Sequence, residues 1–456
     1  MPIARFRALA IPALTFLLFL AVLPAHALEK QPAITYHARR VALAEKLHGG
    51  AAILFAGEEP LLDFMPYRQD EDFFYLTGWN EPGAALLILA AAPDATPARA
   101  YREVLFLPSR NLRLEKYTGI KLDAATPNAS QIAGVDAVEP MTDLANDLNK
   151  LASDNRALAF NLWTQPEAPQ AKAVTGWLAA TLGNGVVPPA HDVTQPVAEL
   201  RVVKDDGELA LLKKAADASV AAQLTMIHAT KPGVTERTLA GKIIATLMEN
   251  GCERPSYAPI VGTGINSTTL HYSVNSATLK DGDIMVVDAA GEYSMYASDL
   301  TRTVPVNGHF TTRQREVYDV VLGAQRAAIT AFVAGKSTIN DRDHRDPSSL
   351  DTVAWNYIHT HGKGLHGESL SDYWIHGLGH MVGINVHDPP GSTGYPAVLK
   401  PGMVFTIEPG VYIPEEKIGV RIEDTFIVGK DGKLINLGAN LPHTADEIEA
   451  EMKKAN

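Results

Sequence analysis

The spacing of apolar positions divides the chain into two halves with different rhythms. In residues 32–182, short unbroken apolar runs alternate with segments in which apolar residues recur every three or four positions. Residues 38–47 (ARRVALAEKL) have the helical spacing and are stopped by Gly49 and Gly50. Residues 51–55 and 84–89, and 103–107 after its opening Glu103, are apolar runs and predict short buried strands. Between the first two lies YRQDEDFFYLTGW, Tyr67 to Trp79, a charged half followed by an aromatic half. That stretch is too polar for one element and too aromatic for a plain loop. Helical patterns over 141–152 and 171–182 complete a predicted α/β layer, in which nothing has metal-ligand spacing.

Pro and polar turn residues concentrate in GVVPPAHDVTQP, residues 185–196, and predict a domain boundary there. The first domain is thus expected over 28–196 and the second over 197–456. A long amphipathic helix is predicted over 206–228 through Leu209, Leu212, Ala216, Val220 and Leu224, ended by Lys231-Pro232-Gly233. Thr235 is a candidate N-cap for a helix reaching Glu249. From Pro259 onward the pattern is strand-rich: 260–262, 284–287, 302–306, 403–408 and 420–427, with a helix over 312–333 among them. Gly291 reads as the break after the 284–287 run, and 293–296 as a returning strand. The expectation is an antiparallel sheet covered by helices, hence α+β. The charged loop NDRDHRDP, 340–347, reads as solvated, and the tail 445–456 as at most a polar, fraying helix.

Residues 1–27 stand apart. Arg5 and Arg7 precede an apolar core over 8–23, and Pro24-Ala25-His26-Ala27 closes it. A basic start, an apolar middle and an Ala-x-Ala end describe a secretory signal peptide. An uncleaved anchor is the alternative, since the apolar core is nearly long enough to span a bilayer. The Ala-His-Ala end favours cleavage after Ala27 and a periplasmic or secreted protein. About 430 residues then remain, enough for two or three cored domains. Loss of both arginines moves the formal charge from −12 to about −14. So acidic a protein is unsuited to nucleic acid, which selects basic patches, and equally to anionic lipid after cleavage. Cys252 is the only cysteine, so no intramolecular disulfide is possible. Flanked by Gly251 and Glu253, it reads as a partly buried thiol.

The candidate chemistry lies in the second half. Asp288 ends an apolar run, and Asp299 follows eleven residues later in Ser298-Asp299-Leu300-Thr301-Arg302. His376, His380 and His387 fall within twelve residues. His376 and His380 have the spacing of a zinc-protease helix, but that helix needs Glu after the first His, where Gly377 stands. Glu408 follows Val404-Phe405-Thr406-Ile407 and precedes Pro409-Gly410, which presents an acid at a strand rim. Taken alone it is equally well a surface acid. Alternation puts Arg421 and Glu423 on one strand face, which is also the pattern of an exposed sheet. Together, Asp288, Asp299, His380, Glu408 and Glu423 change in value. Four converging carboxylates without a counter-cation are costly. Five mainly oxygen ligands suit two divalent ions, Mn²⁺ or Co²⁺ as well as Zn²⁺. Such pairs sit about 3.5–4 Å apart and hold a hydroxide nucleophile.

These motifs, DAAG with SDLTRT, HGLGH, EPGVY and RIED, resemble those of the pita-bread metallopeptidases: methionine aminopeptidases, prolidases and aminopeptidases P. Tyr67-Arg68-Gln69-Asp70 through Phe74-Tyr75-Leu76-Thr77-Gly78, with Asn80-Glu81-Pro82, resembles the aminopeptidase P amino-terminal domain, which methionine aminopeptidases lack. The resemblance implies an α/β amino-terminal domain followed by a pita-bread catalytic domain that hydrolyses Xaa–Pro bonds. It implies that Asp288 chelates one ion, that His380 and Glu408 hold the other, and that Asp299 and Glu423 bridge them. Glu408 is then the proton shuttle, with His271 on the substrate side and His376 and His387 lining the proline pocket and meeting the oxyanion. Arg421 orients this set, Tyr412 helps close the site, and Thr301 supports a metal carboxylate. The implied cofactor is two Mn²⁺, with Co²⁺ or Zn²⁺ as alternatives. The implied partners are peptides with proline second, and further copies of the chain in a dimer or tetramer.

Three other readings compete. A prolidase has the same ligands but cuts only dipeptides. A non-catalytic binding protein on this fold, and metal-free creatinase-like hydrolysis, are both opposed by the presence of all five ligand types.

Overall fold

The computed structural model describes residues 28–59, 66–95, 98–183, 190–391, 394 and 397–454. The expected signal peptide lies outside the described residues. Among the described residues, no helix is long and apolar enough to cross a membrane.

The amino-terminal half is built on a six-stranded mixed sheet. Its centre is the three predicted strands, Ala51–Phe55, Ala85–Leu89 and Arg102–Leu107, paired antiparallel with Ala51 opposite Leu89 and Ala85 opposite Phe106. Ala137–Pro140, Leu162–Thr164 and Ala190–Asp192 add parallel strands at the edges. Ala51–Phe55 and Ala85–Leu89 are apolar at every position because both faces are covered, and in Arg102–Leu107 the buried Glu103 is paired with Arg40. Ala52, Leu54, Leu86 and Ile88 pack toward Leu43, Phe73 and Leu76. Ile53, Phe55, Leu87 and Val104 pack toward Leu144, Leu148, Val174 and Leu178.

The stretch from Tyr67 to Trp79 is one short helix, Glu71–Thr77. Its charged half is the cap and first turn, with the Asp70 carboxylate accepting from the Phe73 amide at 2.8 Å. Its aromatic half is the buried body, and left-handed Gly78 ends it. Within the predicted boundary region, Ala190–Asp192 is still an edge strand of the first sheet, and the next helix, Thr194–Arg201, packs on helices Ala33–Lys46 and Glu71–Thr77. The chain therefore leaves the first layer after Arg201.

Helices Asp206–Ala229, Glu236–Glu249 and Thr312–Ala331 follow the predicted pattern, and Thr235 caps the second as expected. In place of one antiparallel sheet there are several short ones. Ile284–Asp288 lies between Ile260–Thr263 and Thr301–Pro305. Val404–Ile407 pairs with Asp424–Val428, and Gly410–Ile413 with Ile418–Arg421. The run predicted as one strand over 420–427 is interrupted at Ile422–Glu423, because Glu423 leaves its own ladder to bridge Thr301. Gly291 opens a strand, Gly291–Tyr293, and does not break one. The turn falls instead at Ser294 and Met295, both with positive φ, where no glycine signals it. The tail is also better anchored than its polarity implies: Thr444 caps helix Ala445–Lys453 with a reciprocal box, and Ile448 and Met452 are buried.

Candidate metal centre

The fully buried strand Ile284–Asp288 carries Asp288 to its end, opposite Thr301 and Ile260 in the two flanking strands. Asp299 stands two residues before Thr301, so the hairpin brings both aspartates to one side. The Tyr257 hydroxyl lies between them, 2.6 Å from Asp299 Oδ1 and in contact with Asp288 Oδ1. Arg421 donates to Asp288 Oδ2 at 2.7 Å, to the Tyr412 hydroxyl at 2.8 Å and to Thr301 Oγ1 at 3.2 Å.

The histidine motif is a non-helical segment packed against the Val404–Ile407 strand. A Cβ on Gly379 would stand 2.2 Å from the Thr406 carbonyl oxygen, so the glycine allows this approach. The Thr406 amide donates to the His380 carbonyl at 2.9 Å, and the His380 amide to Thr406 Oγ1 at 3.1 Å. His380 Nδ1–H donates to the Met381 carbonyl at 3.1 Å. Its Nε2 therefore faces Asp299 Oδ2 at 3.3 Å and Glu408 Oε1 at 3.4 Å. Thr406 Oγ1 also lies 3.1 Å from that Glu408 oxygen. Glu423 Oε2 accepts from Thr301 Oγ1 at 2.6 Å, while its Oε1 is buried with no hydrogen-bond partner among the described residues. One ligand-type atom each from Asp299, His380 and Glu423 lie within 4.8 Å of one another. Thr301 thus supports a carboxylate of the cluster. Asn340, read from the sequence as part of a solvated loop, instead donates to the Gly379 carbonyl at 2.7 Å and braces the His380 segment.

Burial raises Glu408 to about 7 against the opposing charge of His380, and burial with three neighbouring carboxylates drives Glu423 well above the carboxylate range. Burial likewise raises Asp288, although Arg421 opposes it. For His380, burial alone would favour the neutral ring, but Asp299 and Glu408 outweigh it and raise the imidazole to about 9. Burial and the nearby Arg421 cation lower His376 to about 4, so it is neutral at pH 7. These are the signs of an acid-rich cluster that takes up protons when no cation balances it. The donor set fits divalent cations: carboxylate oxygens, one imidazole nitrogen held in the right tautomer, and a buried carboxylate oxygen of Glu423 with no partner among the described residues.

A cavity of about 630 Å³ opens onto the cluster, lined by Tyr257, His271, Asp288, Asp299 and His387, and by Arg68 and Glu71 from the amino-terminal half. The His387 ring lies against that of His380, tilted by 35° with ring centroids 3.9 Å apart. His376 lies on another side, its Nδ1–H donating to the Gly377 carbonyl at 2.8 Å and its Nε2 2.9 Å from the Tyr412 hydroxyl. Tyr257 and Arg68 were not singled out from the sequence. Arg68 sits in a motif that was noticed, but Tyr257, in Ser256-Tyr257-Ala258, has no local spacing to mark it.

Comparison with known proteins agrees with this architecture. The description "Metallopeptidase family M24" matches residues 210–430, and "Aminopeptidase P, N-terminal domain" matches 36–160. Xaa-Pro aminopeptidase of Escherichia coli (strain K12) is 34% identical over 92% of this chain and 98% of its own length. Zinc-substituted E. coli aminopeptidase P in complex with product superposes with a TM-score of 0.81 at 31% identity, covering 94% of this chain and all of the other. The E. coli enzyme with the inhibitor Pro-Leu gives a TM-score of 0.80 at 31% identity, over 94% of this chain and 99% of that one. A pita-bread metallopeptidase domain behind an aminopeptidase P amino-terminal domain is the class that fold and site define. The chain belongs to metallopeptidase family M24, among the Xaa-Pro aminopeptidases.

Proposed function

We propose that this chain removes an amino-terminal residue from peptides with proline second, using two divalent ions held by Asp288, Asp299, His380, Glu408 and Glu423. The observation that carries this is the convergence of ligand atoms of Asp299, His380 and Glu423 within 4.8 Å of one another, with a buried Glu423 oxygen that has no partner among the described residues. When bound, such ions supply Lewis acidity and an activated water at neutral pH. The zinc-substituted E. coli relative supports a metal site here, and its inhibitor Pro-Leu supports a cleft that accepts proline.

The chain's own residues then divide the work. Glu408, beside His380 and steadied by Thr406, accepts the proton of the attacking water and returns it to the proline nitrogen as that leaves. The imide has no hydrogen and its ring fixes the backbone, so the site must recognise shape. Both nitrogens of His376 are engaged, by Gly377 and Tyr412, which fixes its ring outside the lining of the cavity that opens onto the cluster. His387, with no side-chain hydrogen bond among the described residues, is the imidazole free to donate to the developing oxyanion. Arg421 fixes Asp288 and Tyr412 together.

The test is hydrolysis of Ala-Pro-Ala and Ala-Pro by the mature chain, each after chelation and after Mn²⁺ addition. Mn²⁺-dependent release of alanine from the tripeptide is expected. Cleavage of the dipeptide alone would make the enzyme a prolidase, and cleavage that survives chelation would remove the metal reading. We also propose export through the expected leader, for which mass spectrometry of the secreted protein should find Leu28 as the first residue.

A further inference from the structure

His387 reaches the cleft on the loop 384–388, and the way that loop is held points to a task for the amino-terminal domain. Among the described residues, the His387 side chain makes no hydrogen bond, and its one ring contact is the tilted one with His380. Its backbone must therefore place it, and that backbone is anchored by charge. Arg68 donates to the Ile384 carbonyl at 2.9 Å. Arg201 and Lys204 converge on the Asp388 carboxylate at 2.6 and 2.9 Å. Asp388 Oδ1 accepts from the Asn385 amide at 3.3 Å, and the Asp388 amide donates to the Met381 carbonyl at 2.8 Å. The Asn385 side chain contacts Arg201 and donates to Glu71 at 3.0 Å.

Behind these anchors the network continues into both domains. Arg201 meets Asp72 at 2.7 Å, and Arg68 meets Glu71 at 2.5 Å and Glu292 at 2.6 Å. Arg201, Lys204, Glu292 and Asp388 are buried. Fully paired buried ions add little stability over apolar packing of the same volume, because desolvation consumes most of the attraction. What they can supply is position, and Arg68, Arg201 and Lys204 each end on the loop that presents His387.

We propose that Arg68 of the amino-terminal domain and the Arg201–Asp388 pair are positioning residues, a clamp that holds His387 over the reacting bond. This rests on the reading of His387 given under Proposed function. A mere interdomain tether would leave the precise placement of His387 unaffected.

The experiment compares wild type, Arg68→Ala, His387→Ala and the double variant, as Mn²⁺-loaded full chains hydrolysing Ala-Pro-Ala. Arg68→Ala should lower kcat/KM about 10-fold, and adding it to His387→Ala should cost almost nothing more, since residues acting through one group are non-additive. Amide hydrogen exchange of the ion-free protein supplies a second readout. Asn385 and Asp388 should exchange at least about 10-fold faster in Arg68→Ala, while Val286 and Phe405 in the core strands do not change. Multiplicative losses in the double variant, or unaltered exchange at 385 and 388, would overturn the clamp. Should Arg68→Ala fail to fold, the isosteric Asp72→Asn, at the far end of the network, takes its place with the same expectations. A wild type that cleaves nothing would sink the peptidase reading, while the exchange data would still decide whether the loop is clamped.

Discussion

The hydroxyl of Tyr257 is shared by Asp288 and Asp299, so a single phenol joins the two aspartates that the hairpin delivers. Hydrogen bonds that orient a ligand are worth about 10–100-fold in affinity or activity. Tyr257→Phe should therefore weaken divalent-ion binding by about 10-fold without unfolding the protein. Competition against a coloured chelator measures this, and an unchanged affinity would show that the hairpin alone sets the aspartates.

Ion binding should release protons. Without a cation, Glu408 titrates at about 7, His380 at about 9, and Glu423 well above the usual carboxylate value, so all three hold protons near pH 7 that an ion must displace. Affinity is thus expected to rise from pH 6 to pH 9. Calorimetry in buffers of different ionisation enthalpy gives the proton count, and a count of zero would contradict the cluster's electrostatics.

Gly379→Ala places a methyl 2.2 Å from the Thr406 carbonyl oxygen, beside His380. Backbone cannot yield there as a flexible side chain can. A loss of about 1–3 kcal/mol in denaturant unfolding is expected, together with weakened ion binding as His380 moves. A fully active, equally stable variant would mean the two segments separate easily.

Acid sensitivity should arise partly at Asp424. Burial alone would raise its carboxyl, but Arg302 at 2.7 Å and His443 at 3.0 Å outweigh this and hold it down at about 2. A folded value below the unfolded one gives a contribution that is complete above about pH 4 and lost as pH falls toward 2, on the order of 2 kcal/mol. Asp424→Asn should remove that amount at pH 7 and flatten the stability curve between pH 4 and 2. Urea titrations across this range test it.

How much of this was legible in the sequence depended on whether the information was local. Asp288, His380 and Glu408 each follow or sit beside an apolar run or a glycine pair, so their presentation could be read where they stand. Tyr257 finds its partners 31 and 42 residues away, and no spacing encodes that. Asn340 looked solvated among its charged neighbours, because its partner Gly379 is 39 residues off. Alternation over 420–427 suggested one strand, since periodicity cannot foresee that Glu423 will leave the ladder for Thr301. The helices fared best: Thr235 announces its helix chemically, and the capped end falls where that residue stands.

The bond between Thr301 and Glu423 joins positions 122 residues apart in the chain. Asp288 and Asp299 arrive on one side of that junction, and His380, Glu408 and Glu423 on the other, so neither segment alone holds the full donor set. Assembling the full donor set around an ion therefore requires that long loop to close. An ion bound by the complete set would stabilise the finished fold by mass action. With ligands that accept several first-row metals, the identity of the resident ion would be set by what is available wherever the chain completes its folding.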